Sequence, residues 1–230
     1  VGLPTTVGGS GDTSIMTGLG LYMGMKACAK EAWGADTLTG KTVAIQGFGK
    51  VASHTAHHLM KEDAKLVVTD VFDGALDRAR DLGLKVVKPD EIYDVECDIF
   101  APCALGGVIN PNTIPRLKCK VVAGGANNQL LAETDGEELH RLGIVYGPDY
   151  ILNSGGIINV ETEITGEYNP DRAREKTERI YEITDRVIAI SKNGEIPTAK
   201  AADRLAEDRL KSVRGIRRLY RSNKIAPGSR

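Results

Sequence analysis

Short apolar runs alternate with amphipathic stretches over the first two-thirds of the chain. Thr42-Val43-Ala44-Ile45-Gln46, Lys65-Leu66-Val67-Val68-Thr69-Asp70, Lys85-Val86-Val87, Cys97-Asp98-Ile99-Phe100-Ala101, Lys120-Val121-Val122-Ala123 and Gly143-Ile144-Val145-Tyr146 are too short and too continuously apolar for helices, and predict buried strands. Between them the period lengthens. Lys50 to Lys61 carries Val51, Ala52, Ala56 and Leu59 on one face, and Ala75 to Leu82 and Glu133 to Arg141 also read as helices, with a helical turn opening at Pro89. Strands apolar on both faces and separated by helices imply a mostly parallel sheet covered on both sides. Right-handed crossovers make this a doubly wound α/β fold.

The flanks read differently. Residues 1–12 are rich in Gly, Pro, Ser and Thr and predict a loop or hinge. Asp12, Thr13 or Ser14 can cap a helix from Ile15 to Trp33, which Gly34 stops. Gly18, Gly20 and Gly24 inside that helix each cost about 1 kcal/mol against Ala, so close approach of another backbone or a ligand is expected there. After Asn153 the alternation ceases. Pro170, capped by Asn169, opens a long helix with Ile180, Ile183, Val187 and Ile190 as its apolar stripe, ended by Asn193-Gly194. Pro197 to about Arg214 forms another, with Ala202, Leu205, Ala206, Leu210 and Val213 on the buried face. The expected organisation is a hinge over 1–12, one domain over 13–220 and a polar, frayed tail over 221–230.

Composition narrows the function. Thirty basic and 31 acidic residues leave a net charge of -1, which argues against a dedicated nucleic-acid surface. No run of about 18 apolar residues is present to predict a membrane span. Cys28, Cys97, Cys103 and Cys119 include no C-x-x-C pair, so they read as reduced, mostly buried thiols of a cytosolic protein. His54 and His58 lie one helical turn apart but lack a third ligand nearby, and read as a polar helix face, not a metal site. The 26 glycines against 5% aromatic residues point to many tight turns and close backbone approaches.

One glycine cluster has a specific reading. Gly47-Phe48-Gly49-Lys50-Val51-Ala52 is G-x-G-x-x-A between a predicted strand and a predicted helix, the context of a dinucleotide-binding turn of the Rossmann type. Gly47 permits the turn, Gly49 admits a pyrophosphate to the backbone, and Ala52 lets the helix pack against the strand. The unpaired N–H groups at the helix start suit the phosphates. Asp70 ends the next strand, 23 residues after Gly47, where a carboxylate accepts hydrogen bonds from ribose hydroxyls and repels a 2′-phosphate. Asp73 adds negative charge, and no Arg or Lys stands between the two, which favours NAD over NADP. A methyltransferase sheet also joins a glycine loop to a strand-end acid, so the later motifs must decide.

Those motifs are Pro102-Cys103-Ala104-Leu105-Gly106-Gly107, Gly124-Gly125-Ala126-Asn127-Asn128-Gln129-Leu130, Gly147-Pro148-Asp149-Tyr150 and Asn153-Ser154-Gly155-Gly156, all after predicted strands. With Thr17, the glycine loop and Asp70, they make the chain resemble the cofactor domain of the glutamate/leucine/phenylalanine/valine dehydrogenase family, most of all its leucine and valine branch, from about Gly8 to Arg218. The resemblance implies that Gly47, Phe48, Gly49, Lys50 and Val51 hold the pyrophosphate of NAD and Asp70 its adenosine ribose, with Val71 beside it. Cys103, Ala104 and Leu105 would border the adenosine side. Asn128 would meet the nicotinamide end, Thr17 the carboxamide, and Asn153 both nicotinamide and substrate. Ile157 and Val160 would line the substrate side-chain pocket and suit an aliphatic group.

The chemistry so implied is oxidative deamination of an L-amino acid to a 2-oxo acid and ammonia. It needs a lysine of depressed pKa and an acid–base carboxylate. In the family these belong to an N-terminal domain, and no Gly-Gly-x-Lys segment occurs in this chain; Lys41 and Lys50 follow glycines but stand at a strand start and in the phosphate loop. The expectation is therefore a chain that lacks the catalytic domain, binds NAD, and has no catalytic residue of its own. It would be a monomer or weak dimer, the complete enzyme a homo-oligomer. A free-standing NAD-binding module with a regulatory or scaffolding role, and a phenylalanine-specific enzyme, are the alternatives.

Overall fold

A computed structural model describes residues 2–164 and 168–221. Its sheet has six parallel strands in the order β3-β2-β1-β4-β5-β6: β1 Thr42–Gln46, β2 Lys65–Thr69, β3 Lys85–Val86, β4 Ile99–Pro102, β5 Val121–Val122 and β6 Val145–Tyr146. The helices are α1 Ser14–Trp33, α2 Lys50–Lys61, α3 Asp73–Asp81, α4 Glu133–Arg141, α5 Asp149–Leu152, α6 Gly155–Ile164, α7 Pro170–Glu178, α8 Ile180–Gly194 and α9 Thr198–Arg221. This is the doubly wound α/β fold, in the strand order of dinucleotide-binding sheets. Winding reverses between β1 and β4, whose registers pair Ile45 with Ala101 and Gln46 with Pro102. A crevice opens beyond their carboxyl ends at such a reversal.

Period-two alternation fills both faces. Val43, Ile45, Val68, Ile99 and Val121 pack with α1, α2 and α8, while Ala44, Val67, Phe100 and Val122 pack with Ile92, Ile114 and Leu139. The three glycines of α1 are explained by neighbours. A Cβ on Gly18 would lie 2.6 Å from His54 Cβ, on Gly20 2.6 Å from Ile180 Cδ1, and on Gly24 2.5 Å from Leu152 Cγ.

Several boundaries differ from the sequence reading. The 2–12 stretch holds a 3-10 turn at Thr5–Val7 and is tied to α6. Asp12, not Thr13, supplies the side chain at the start of α1, accepting the Ser14 amide and hydroxyl at 3.0 and 2.6 Å. The expected long helix from Pro170 is two, because the chain turns at Arg179; Asn169 caps the first through the Arg172 amide. Helices α5 and α6, on either side of Asn153-Ser154, were not among the expected elements. Gly155 opens α6, and only glycine fits there because a Cβ would overlap the Met16 carbonyl. The buried stripe expected along the last helix is only partly so. Ala201 and Ala202 are buried, but Leu210 is 59% and Val213 40% exposed. Their turns run beyond the body that covers the first two, since a helix of 24 residues is about 36 Å long. Arg221, assigned to the tail, ends this helix; the rest of that tail, 222–230, lies outside the described residues.

Candidate functional site

The glycine loop begins where β1 ends. Gly47 takes a φ of +92°, and a Cβ on it would stand 2.6 Å from that of Ala104. Only glycine fits both constraints. Its amide reaches the Thr69 carbonyl at 2.8 Å, so β1 and β2 stay bonded to the turn itself. The Phe48 ring is fully buried. Its backbone is held at both ends: the amide donates to Asp70 Oδ2 at 2.6 Å, and Arg78 Nη2 donates to its carbonyl at 3.3 Å. The other Asp70 oxygen accepts the Phe72 amide at 3.0 Å.

Gly49 is different. Its backbone is extended and no atom lies within 4 Å of where a Cβ would be. No side chain caps α2, which starts at the next residue. The free amides of a helix start and their partial positive charge therefore face an open space that only the missing Cβ keeps clear. Such a cradle fits a pyrophosphate. Lys50, exposed at the rim, pairs with Asp12 at 2.9 Å. The Ser14 hydroxyl and amide, with Lys50, hold the Asp12 carboxyl well below the usual carboxylate range.

The facing wall follows β4 and β5. The Cys103 amide donates to the Gln46 carbonyl at 2.7 Å, and burial pushes its thiol up to about 11. Ala104 and Leu105 are exposed next to the glycine turn, as is Val71 on the β2 side. Gly124 packs so tightly on β4 that a Cβ would overlap the Pro102 carbonyl. Asn128 is exposed and takes a positive φ of 53°, and its carbonyl accepts the Gly107 amide at 2.7 Å, linking the loops after β4 and β5. Asn153 Nδ2 donates to Asn127 Oδ1 at 2.6 Å and to the Gly125 carbonyl at 3.4 Å. The sequence reading passed over Asn127 and Arg78. Asn127 adjoins Asn128 in one motif, whereas nothing local marks Arg78, whose contact spans 30 residues.

Thr17 lies at the start of α1, where its hydroxyl donates to the Thr13 carbonyl at 2.9 Å and would touch a Cβ on Gly156. Ile157 and Val160 share α6; Val160 is half-buried and Ile157 is 73% exposed. The structure thus brings Gly47, Gly49, Asp70 and Ala104 around one turn and joins Asn153 to the 124–128 loop, while Thr17 meets the α6 start. His58 stacks on Tyr22 at 5.2 Å, and burial lowers its pKa; no group of three potential metal ligands occurs among the described residues. No described helix is long and apolar enough to cross a membrane.

Residues 8–84 and 75–215 match the family model of glutamate/leucine/phenylalanine/valine dehydrogenases. The chain belongs to this family. It is 52% identical over 223 residues to leucine dehydrogenase of Geobacillus stearothermophilus, covering 96% of this chain and 60% of the relative. Identity to phenylalanine dehydrogenase of Thermoactinomyces intermedius is 42% over 221 residues, 95% of this chain and 60% of the relative. The crystal structure of L-tryptophan dehydrogenase from Nostoc punctiforme superposes with a TM-score of 0.85 at 41% identity, over 88% of this chain and 62% of that one. The chain therefore spans about 60% of the length of the curated relatives it matches.

Proposed function

We propose that this chain is the NAD-binding part of an amino-acid dehydrogenase acting on branched-chain L-amino acids. The observation that carries the cofactor assignment is the Asp70 carboxylate. It stands at the end of β2, bonded to the amide inside the glycine turn, beside the open cradle at Gly49. Gly49, Lys50 and Val51 offer the backbone amides of the α2 start to the pyrophosphate, while Gly47 and Phe48 shape the turn beside it, their own amides being held by the Thr69 carbonyl and Asp70. Asp70 accepts from the ribose hydroxyls and repels a 2′-phosphate. Phe48 serves through its backbone alone, because its ring is buried. The bound nicotinamide supplies a two-electron hydride acceptor. Asn128 and Asn153 orient that end, Thr17 lies on the same side, and Cys103, Ala104, Leu105 and Val71 border the adenosine half. Ile157 and Val160 offer an aliphatic wall to the substrate. The higher identity to the leucine enzyme than to the phenylalanine enzyme, 52% against 42%, supports the branched-chain reading.

Catalytic proton transfer belongs to residues outside this chain. The lysine at the crevice rim, Lys50, is already paired with Asp12. The 230-residue chain then binds NAD without turning over amino acid, and its four unpaired cysteines suit a reducing cytosol. Calorimetric titration with NAD and NADP tests the assignment: NAD binds the more tightly, and equal or tighter NADP binding, or no binding of either, overturns it. Robust leucine deamination by the 230-residue chain would refute the division of labour.

A further inference from the structure

We propose that Cys97 and Cys119 form an oxidative modification site, a dithiol that closes to an intramolecular disulfide when the protein meets a hydroperoxide. Each cysteine stands two residues before a strand, and the residues that open those strands, Ile99 and Val121, are register partners. The chains already run side by side there, since the Asp98 carbonyl accepts the amides of Lys120 and Val121, both at 3.2 Å. Neighbouring strands lie about 4.8 Å apart, inside the roughly 4.4–6.8 Å that a disulfide spans between Cα atoms. Both side chains pack against the same apolar cluster around Phe100 and Val122, so they face one side of the sheet. Each thiol is near enough to the other to be the largest influence on its ionisation. Neither residue belongs to the strand ladder, which leaves both free to adjust.

The two thiols are not equivalent. The neighbouring thiol, with backbone amides around it, lowers the ionisation of Cys119 below its ordinary value, and the same neighbour, with burial, raises that of Cys97. Cys119 is buried, whereas Cys97 is half-buried and opens the pair to a molecule as small as hydrogen peroxide. The Cys119 thiolate attacks one peroxide oxygen, the O–O bond breaks, and water leaves with a proton from solvent. Sulfur is then a sulfenic acid. The Cys97 sulfur attacks it, the S–S bond forms, and the departing hydroxide takes the Cys97 proton as a second water. Two thiols have given two electrons to one peroxide.

The bond would close a loop over residues 97–119, which contains β4 and the Cys103–Gly107 turn of the crevice wall. Cys28 and Cys103 are internal controls: Cys28 is fully buried on the inner face of α1, and Cys103 sits at the opposite, carboxyl end of β4. The test is exposure of the whole chain to millimolar hydrogen peroxide, followed by thiol counting under denaturing conditions and non-reducing peptide mapping. Titratable thiols fall from four to two, a 97–119 cross-linked peptide appears, and dithiothreitol restores all four. Oxidised protein melts about 5 °C higher than reduced protein, and Cys97→Ser and Cys119→Ser show no such shift. Four thiols remaining, a cross-link to Cys28 or Cys103, or oxidation to sulfinic acid without a cross-link would each overturn the proposal.

Discussion

The Asp70 carboxylate accepts the Phe48 amide at 2.6 Å, so the acid that ends β2 also shapes the turn that ends β1. A charged acceptor at a partly buried amide contributes about 1.5–3 kcal/mol. Asp70→Ala is therefore expected to lower the melting temperature and to weaken NAD binding by about tenfold or more. Asp70→Asn keeps an oxygen for the Phe48 amide but loses the charge. With only one acceptor oxygen for the two amides of Phe48 and Phe72, it should melt between Asp70→Ala and wild type while its preference for NAD over NADP shrinks. Arg78 then matters, because it brings a guanidinium to the carbonyl of the same residue. Calorimetry with both cofactors and thermal melting separate the two roles; an Asn variant with undiminished preference would assign the discrimination elsewhere.

Two glycines divide fold from binding. A Cβ on Gly124 would overlap the Pro102 carbonyl, whereas one on Gly49 meets nothing within 4 Å. Gly124→Ala should lower stability by about 1–3 kcal/mol through forced separation of β4 from the following loop. Gly49→Ala, at a φ of −75° that alanine adopts freely, should melt as wild type yet lose most NAD affinity, because its methyl group fills the cradle. Unchanged NAD affinity in Gly49→Ala would show that the pyrophosphate lies elsewhere.

The strands and the glycine turn were legible because their signals are local. Period-two burial, a strand before Gly47 and a helix after it, and an acid at the next strand end all lie within short windows. What escaped was set by contacts remote in sequence. Gly155 and Gly156 look like helix breakers until Met16 and Thr17 are packed against them, and then they are the residues that let α6 form there. Leu210 and Val213 carry the same periodicity as Ala202, but periodicity does not say where the covering body ends. The reading of Asp70 without nearby basic residues likewise missed Arg78, which reaches back along α3 to the Gly74 carbonyl. For the crevice as a whole, the chain shows which segments follow strands; which loops brace one another appears only in contacts such as Asn153 with Asn127.

That last contact makes a prediction specific to one end of the cofactor. Asn153→Ala removes the 2.6 Å bond that ties the end of α5 to the loop after β5. One neutral hydrogen bond contributes about 1 kcal/mol, so NAD affinity should fall roughly fivefold. ADP-ribose, which lacks the nicotinamide, should bind variant and wild type alike. Equal losses for both ligands would mean that the bond supports the whole loop and not the nicotinamide end.

Glu163 gives the fold a pH-dependent joint. Its carboxylate on α6 accepts the amides of Gly2, Leu3 and Ser10 at 3.0, 3.4 and 3.0 Å, and the Ser10 hydroxyl at 2.6 Å. Asn159 reinforces it, donating to the Ser10 carbonyl at 3.1 Å. These donors, the Ser10 hydroxyl first, hold the Glu163 carboxyl down to about 2 from an ordinary 4.5. Because the folded value is the lower one, the attachment is at full strength above pH 4.5 and is lost as pH falls from 4.5 towards 2. Amide exchange in residues 2–10 should therefore accelerate as pH falls from 4.5 towards 2, after correction for intrinsic rates, while β1 amides stay protected. Glu163→Gln keeps an acceptor but no charge, and should show the faster exchange already at neutral pH with no further rise in that window. Wild-type and Glu163→Gln profiles that coincide at pH 7 would show that Asn159 alone fastens the segment to α6.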